Sequence, residues 1–235
     1  MRARVLSRLK QATRQLGLQV QVFPSAQVMP LPLWESDQAF AALWQQAAPR
    51  TLVDRRRCFM LYQLARQVNA LPGELAEVGV FRGGTARLLA ANATDTSLHL
   101  FDTFSGMPAT DPQRDLHRAG DFEQTSLAQV QQYLAPFAHV QFHPGFFPAT
   151  AGPVAEHSFR FVHVDVDIYQ STWDCCAFFY PRLTSGGVLL FDDYGLPSCP
   201  GVRAAVDRFF AACPESPVYL PTGQAFVIRH TNHAT

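Results

Sequence analysis

The sequence predicts an α/β fold. It reads as a mostly parallel seven-stranded sheet covered by helices on both faces, closing on a C-terminal antiparallel hairpin and preceded by an N-terminal helical arm. Three observations carry this. From residue 75 onward, short apolar runs alternate with stretches of helical spacing. The strand runs are apolar on consecutive residues rather than on every second one, as strands buried on both faces require. Two last short runs, Val218–Leu220 and Ala225–Arg229, are joined tightly through Pro221, Thr222 and Gly223, which suits a hairpin.

The elements follow in chain order. Residues 23–34 are rich in proline and read as an extended connection. Residues 36–47 and 52–70 show helical spacing. In the second stretch Phe59, Leu61, Leu64 and Val68 recur at turn intervals behind Asp54, a cap candidate. The first strand is expected over Leu75–Gly79, with a helix over 83–93. Ser97–Asp102 is the second strand, followed by a long polar loop and a helix over 123–135. Val140–His143 is the third strand. Phe161–Asp165 is the fourth, with a helix over 171–182, and Val188–Asp192 is the fifth, with a helix over 201–212. Five such βα units ending in a hairpin form the layout of a Rossmann-like, class I methyltransferase sheet. The expected domain division is an N-terminal helical arm or lid at 1–50 and a methyltransferase domain at 51–235.

Charge narrows the function classes. The 235 residues carry 19 basic and 19 acidic side chains, so the basic footprint of a nucleic-acid binder is missing. Arg2, Arg4, Arg8, Lys10 and Arg14 stand in an acid-free start. The remaining 14 basic residues face all 19 acids, a net of minus five. The start reads as an arm packed on its own domain or on a partner subunit, in a cytoplasmic protein without a membrane span. Lys10 is the one lysine, which removes phosphate loops and Schiff-base chemistry from consideration. The five cysteines include an adjacent pair and no CxxC spacing, and read as reduced thiols rather than disulfides or a zinc site.

Ligands of such sheets sit beyond the carboxyl ends of the strands. After the first strand stands Glu77-Val78-Gly79-Val80-Phe81-Arg82-Gly83-Gly84. The glycines permit close backbone approach but miss the G-x-G-x-x-G spacing. An acid before them suits a cationic sulfonium such as S-adenosylmethionine, and a plain tight turn reads equally well. Asp102, ending the second strand, is placed to bind ribose hydroxyls of either S-adenosylmethionine or a nicotinamide dinucleotide. Asp165, Asp167, Asp192 and Asp193 fall at the ends of the fourth and fifth strands. Singly, Asp167 and Asp193 read as helix caps. The convergence of Asp165 with Asp192 and Asp193 reads as a site for a hard divalent cation, Mg²⁺. His163 reads as a satisfied core residue. Tyr169 and Tyr194 flank the acids, and the loop 103–121 is long enough for a lid.

Several segments in order carry a resemblance: RCFMLYQLA from Arg57, EVGVFRGG from Glu77, LFDTFSGMP from Leu100, Gly120-Asp121-Phe122, GFFPAT from Gly145, VDVDIYQST from Val164, YPRLTSGG from Tyr180 and FDDYG from Phe191. In these the chain resembles the macrocin O-methyltransferase family, whose members methylate sugar hydroxyls of macrolide and aminocoumarin antibiotics. The resemblance runs from about residue 50 to about 212. It implies an S-adenosylmethionine site with Glu77, Gly79, Phe81 and Gly83 on the loop, Asp102 and Thr103 at the ribose, and Asp121 and Phe122 near the adenine. It implies Mg²⁺ on Asp165, Asp192 and Asp193, with Asp165 as general base. It further implies a small-molecule hydroxyl acceptor, a sugar, and a homodimer. Val166 departs from the small residue usual in the family. A catechol or phenol methyltransferase, a nicotinamide-dependent oxidoreductase and a non-catalytic nucleotide-binding protein stand as alternatives.

Overall fold

The computed structural model describes residues 33–93 and 95–230. The basic arm and all but the last two residues of the 23–34 segment lie outside them. Leu33 and Trp34, expected to be extended, begin a short helix, α1 (Leu33–Ser36). Helix α2 (Gln38–Ala47) starts where the Asp37 carboxylate accepts the Phe40 N–H, a normal cap. Its Phe40 and Ala47 are buried against Phe59 and Tyr62 of α3 (Arg55–Gln67). Helix α3 is shorter than the expected 52–70 because the Asp54 carboxylate takes the N–H groups of Arg56 and Arg57 and fixes the first turn.

Seven strands form one sheet in the order β3-β2-β1-β4-β5-β7-β6. They are β1 (Glu74–Val78), β2 (Leu98–Asp102), β3 (Val140–Pro144), β4 (Phe159–Val164), β5 (Leu183–Phe191), β6 (Val218–Tyr219) and β7 (Ala225–Ile228). The first five are parallel, and β7 runs antiparallel to both β5 and β6. The expected sheet and its closing hairpin are therefore present. Strand β5 begins five residues earlier than expected, because Leu183 pairs with Phe159 across a register shift in β4.

Side-chain alternation divides the core. Leu98 and Leu100 of β2 and Phe161 of β4 pack with α3, α4 (Gly84–Asn92) and α5 (Leu127–Leu134). Phe101, Val162 and Val164 pack on the other face with α6 (Tyr169–Phe179) and α7 (Pro200–Phe210). The strand order reverses between β1 and β4, so their carboxyl ends open a crevice. Helix α6 stops at Phe179 and passes into a 3₁₀ turn at Tyr180–Arg182, where Pro181 lacks the N–H needed to continue. Helix α5 starts at Leu127, not 123, because residues 124 and 125 are drawn onto the first glycine loop: the Gln124 carbonyl accepts the Arg82 Nε–H at 2.6 Å, and the Thr125 hydroxyl donates to the Phe81 carbonyl. All five cysteines are free thiols. Among the described residues no helix is long and apolar enough to cross a membrane.

The loop 103–121 is tied down by one buried acid. Asp115 is 6 % exposed. Its Oδ1 accepts the Tyr169 N–H at 2.8 Å, and its Oδ2 accepts the Asp111 N–H at 3.0 Å. It thus supplies the cap that α6 lacks from its own N-cap residue, Ile168. Gly201 of α7 makes room for it, since a Cβ there would lie 2.2 Å from Asp115 Oδ1. Asp115→Ala should cost about 1–2 kcal/mol in urea unfolding, the usual value of a lost cap, and raise hydrogen exchange across residues 103–121.

Candidate active site

The carboxyl ends of β1, β2 and β4 open into a cleft with about 1070 Å³ of empty space, its mouth included. That is room for a nucleoside cofactor and part of a second ligand. Its walls include Gly79, Phe81, Asp102, Thr103, Phe122, Asp165, Asp167 and Asp193. Glu77, Gly83, Asp121 and Asp192 are not among its lining residues.

The loop after β1 has its shape for steric reasons. Gly79 has φ +88°, and a Cβ on it would lie 1.8 Å from the Asp165 carbonyl oxygen. Only glycine lets β1 and β4 end this close together. Gly83, at φ +84°, is the N-cap of α4, and a Cβ there would meet Val130 of α5. Among the described residues, four other than glycine also adopt left-handed backbone: Phe81, Phe104, Phe122 and Asp167. Phe81, Phe122 and Asp167 line the cleft and Phe104 adjoins it, the placement expected of stored backbone strain. The Phe81 and Phe122 rings meet edge to face at 6.3 Å.

Asp102 organises this end. Its Oδ2 accepts the Val80 and Phe81 N–H groups at 2.7 and 2.9 Å, and its Oδ1 accepts the Phe104 N–H at 2.6 Å. The Thr103 hydroxyl turns back to the Gly106 carbonyl at 2.6 Å. Asp121 turns away from the cleft, its Oδ2 taken by the Arg118 N–H and His117 Nδ1. Those contacts hold its pKa below the usual carboxylate range.

Behind the cleft floor runs a chain of buried charge. His163 is fully buried, its Nδ1 2.8 Å from Glu77 Oε1 and its Nε2 3.4 Å from Asp192 Oδ1. Burial would lower its pKa, but the hydrogen bonds to Asp192 and Glu77 outweigh burial and raise it to about 10. Imidazolium then donates at both nitrogens. Asp192 also receives Gln224 Nε2 on Oδ1 at 2.7 Å and pairs through Oδ2 with Arg57 Nη1. Burial would raise the pKa of Asp192, but His163, Arg57 and Gln224 lower it. The expectation for His163 as a satisfied core residue thus holds, with the addition that it links two acids. Arg57 and Gln224 escaped sequence reading. Arg57 belongs to a quoted segment, and its place one turn inside the Asp54 cap was the available signal; nothing local marked Gln224.

Asp165 and Asp193 differ from Asp192. They lie on the cleft wall, and both are held well above the ordinary carboxylate range, first by burial and then by neighbouring aspartates. Arg57 Nη1 is 3.6 Å from Asp193 Oδ1, and the Asp167 N–H reaches Asp193 Oδ2 at 3.3 Å. Oxygen donors crowded together with too little positive charge fit a hard divalent cation. Asp165 and Asp193 have capacity to spare for one. Asp192 already has donors on both oxygens, so its place in such a set requires sharing with Arg57. Tyr169 and Tyr194 do not line the cleft: the Tyr169 hydroxyl accepts from Arg208 and the Tyr194 hydroxyl donates to Asp207.

Comparison with known proteins agrees with this geometry. The family described as macrocin-O-methyltransferase (TylF) matches residues 11–214, so the likeness reaches into the basic arm, well ahead of the segments quoted from residue 57. Demethyldecarbamoylnovobiocin O-methyltransferase of Streptomyces niveus is 30% identical over 183 residues, which cover 70% of this chain and 69% of that protein. Mycinamicin III 3''-O-methyltransferase of Micromonospora griseorubida is 32% identical over 159 residues, covering 60% and 61%. The solved structure of the O-methyltransferase NovP superposes with a TM-score of 0.68 at 27% identity, over 77% of this chain and 83% of that one. A cleft at the reversal of a class I methyltransferase sheet, and a family match that spans it from before α1 to beyond α7, lead to one assignment: the chain belongs to the macrocin-O-methyltransferase (TylF) family.

Proposed function

We propose that the chain transfers the methyl group of S-adenosylmethionine to a hydroxyl of a sugar or glycosylated small molecule, with Mg²⁺ at the acceptor. One observation carries this reading: a single cleft sets Asp165 and Asp193 beside the Gly79 loop and Asp102. Membership of a methyltransferase family argues against a nicotinamide dinucleotide there. The sugar acceptor is suggested by a relative from Streptomyces olivaceus named as the 4'-O-methyltransferase of a rhamnosyl-tetracenomycin.

On this reading Asp102 binds a ribose hydroxyl with the one Oδ1 lone pair that its three backbone contacts leave free. Gly79 and Phe81 contact the methionine part, and Phe122 covers the adenine. Thr103 serves the ribose end through its backbone. Asp121 acts at one remove, by fixing the turn that presents Phe122. Gly83 and Glu77 likewise act from behind the wall, one opening α4 and the other anchoring His163.

Methyl transfer is an in-line displacement. The acceptor oxygen bonds to the methyl carbon as the carbon–sulfur bond breaks, and the electron pair returns to sulfur. The chain's task is to place that oxygen about 3 Å from the methyl carbon and to receive its proton. Asp165 is the acceptor of the proton, through the oxygen that a monodentate metal contact would leave free. Asp165 and Asp193 would hold the metal, with Asp192 behind them still paired to Arg57. A Mg²⁺ held there would supply Lewis acidity that makes the acceptor hydroxyl easier to deprotonate. The positive sulfonium adds to the charge that offsets these acids.

Three outcomes are expected. Calorimetry should give one S-adenosylhomocysteine site and no NAD site, and Asp102→Ala should weaken it about 10- to 100-fold, the value of one or two charge-assisted hydrogen bonds. Asp165→Asn should keep that affinity within about threefold yet lower kcat at least about 100-fold; wild-type turnover at saturating Mg²⁺ would exclude both roles for Asp165. Dialysis against a chelator should abolish turnover of a sugar-hydroxyl acceptor, and Mg²⁺ should restore it.

A further inference from the structure

A second cluster of ligand-bearing side chains lies apart from the cleft, and none of its members lines it. Glu74 opens β1, His99 is the second residue of β2, His157 precedes β4 by two residues, and His143 lies on β3. These are four neighbouring positions across the sheet, β3-β2-β1-β4. Glu74 Oε2 is 2.9 Å from His99 Nε2 and 2.5 Å from His157 Nδ1. The three ligand atoms all lie within 4.8 Å of one another. On its far side His99 Nδ1 is 3.0 Å from His143 Nε2.

We propose that Glu74, His99 and His157 form a site for a borderline divalent cation, Zn²⁺, with His143 orienting His99 from behind.

The chemistry of the donors favours zinc over magnesium. Two imidazoles and one carboxylate suit Zn²⁺, Ni²⁺ or Cu²⁺, whereas Mg²⁺ prefers oxygen alone. Three protein ligands with a water complete a tetrahedron. Zinc bonds near 2.0–2.2 Å put neighbouring ligand atoms about 3.4 Å apart, so the present contacts need open by less than about 1 Å. His99 is buried with its Nε2 toward Glu74, while Glu74 and His157 are partly exposed, which gives the ion a route from solvent. A metal-ligating imidazole normally donates its other N–H to a fixed acceptor. His143 is placed to be that acceptor, its Nε2 3.0 Å from His99 Nδ1. Its ring is held by stacking on Phe101, with centroids 4.4 Å apart. The ion would pin the starts of β1 and β2 to the segment leading into β4.

The test uses the full chain, stripped with a chelator and free of any histidine tag, titrated with Co²⁺ as a spectroscopic probe for Zn²⁺. One equivalent should produce a visible d–d band that Zn²⁺ abolishes and excess Mg²⁺ does not. Glu74→Gln and His157→Ala, both at partly exposed positions, should each weaken Zn²⁺ binding at least about 100-fold while S-adenosylhomocysteine affinity stays unchanged. His143→Gln should weaken it about 10- to 100-fold, as loss of an outer partner does. Asp165→Asn should leave the band intact. No band, a band that survives both Glu74→Gln and His157→Ala, or a band lost in Asp165→Asn would each overturn the proposal; the last would place the ion in the cleft instead.

Discussion

The structure depends on how buried negative charge is balanced at the carboxyl ends of β1, β4 and β5. Among the described residues, Glu77, Asp165, Asp167, Asp192 and Asp193 face Arg57 and His163 as buried cations, with His117 3.8 Å from Asp167 nearer the surface. A carboxylate removed from water without a partner is costly. The arrangement divides the acids accordingly. Glu77 and Asp192 share His163, and Asp192 further receives Arg57 and Gln224. This half is paired within the protein, with Oε2 of Glu77 the one oxygen left without a hydrogen bond and burial raising that carboxyl's pKa. Asp165 and Asp193 are left on the cleft wall with their pKa values raised. That half is balanced only when a proton, a metal ion or a cationic cofactor arrives, so binding and folding energy are linked at the same residues.

Position follows from this balance. Arg57 reaches Asp192 because Asp54 caps α3 and sets its first turn. Gln224 reaches it because the terminal hairpin lies beside β5. Removal of either partner leaves Asp192 buried and underpaired, which is the most damaging way to alter such a group. On the cofactor side backbone shape does the equivalent work. Gly79 allows β1 and β4 to converge, and Asp102 ties the left-handed Phe81 and Phe104 through their own N–H groups.

Much of this was legible in the sequence. The strand cores, the hairpin and the acids at strand ends follow from period and from residue type, because strands buried on both faces leave little choice of side chain. Adjacent fourth and fifth strands suggest Asp165 and Asp192 in one crevice beside Asp102; the cleft wall instead carries Asp165 and Asp193, with Asp192 behind it on Arg57. What remained hidden has two physical causes. Arg57 and Gln224 meet Asp192 from 135 and 32 residues away, and Asp115 caps α6 from 54 residues away, so no local pattern announces them. The left-handed backbone at Phe81, Phe104, Phe122 and Asp167 contradicts ordinary propensity and is imposed by tertiary contacts. The early start of β5 is similar: Ser185, Gly186 and Gly187 carry no strand signal, and backbone hydrogen bonds tie Gly186 and Gly187 to Arg229. Asp121 shows the limit of segment matching: its segment borders the cleft, but its carboxylate caps its own turn.

The division between acids paired within the protein and acids left on the cleft wall is most directly tested by a crystal structure of the chain with S-adenosylhomocysteine and Mg²⁺. The account predicts the ribose on Asp102, the sulfur beside Gly79, and an ion touching Asp165 and Asp193 while Arg57 still holds Asp192. A nucleoside bound elsewhere, or an ion that leaves Asp165 and Asp193 without contact, would contradict it.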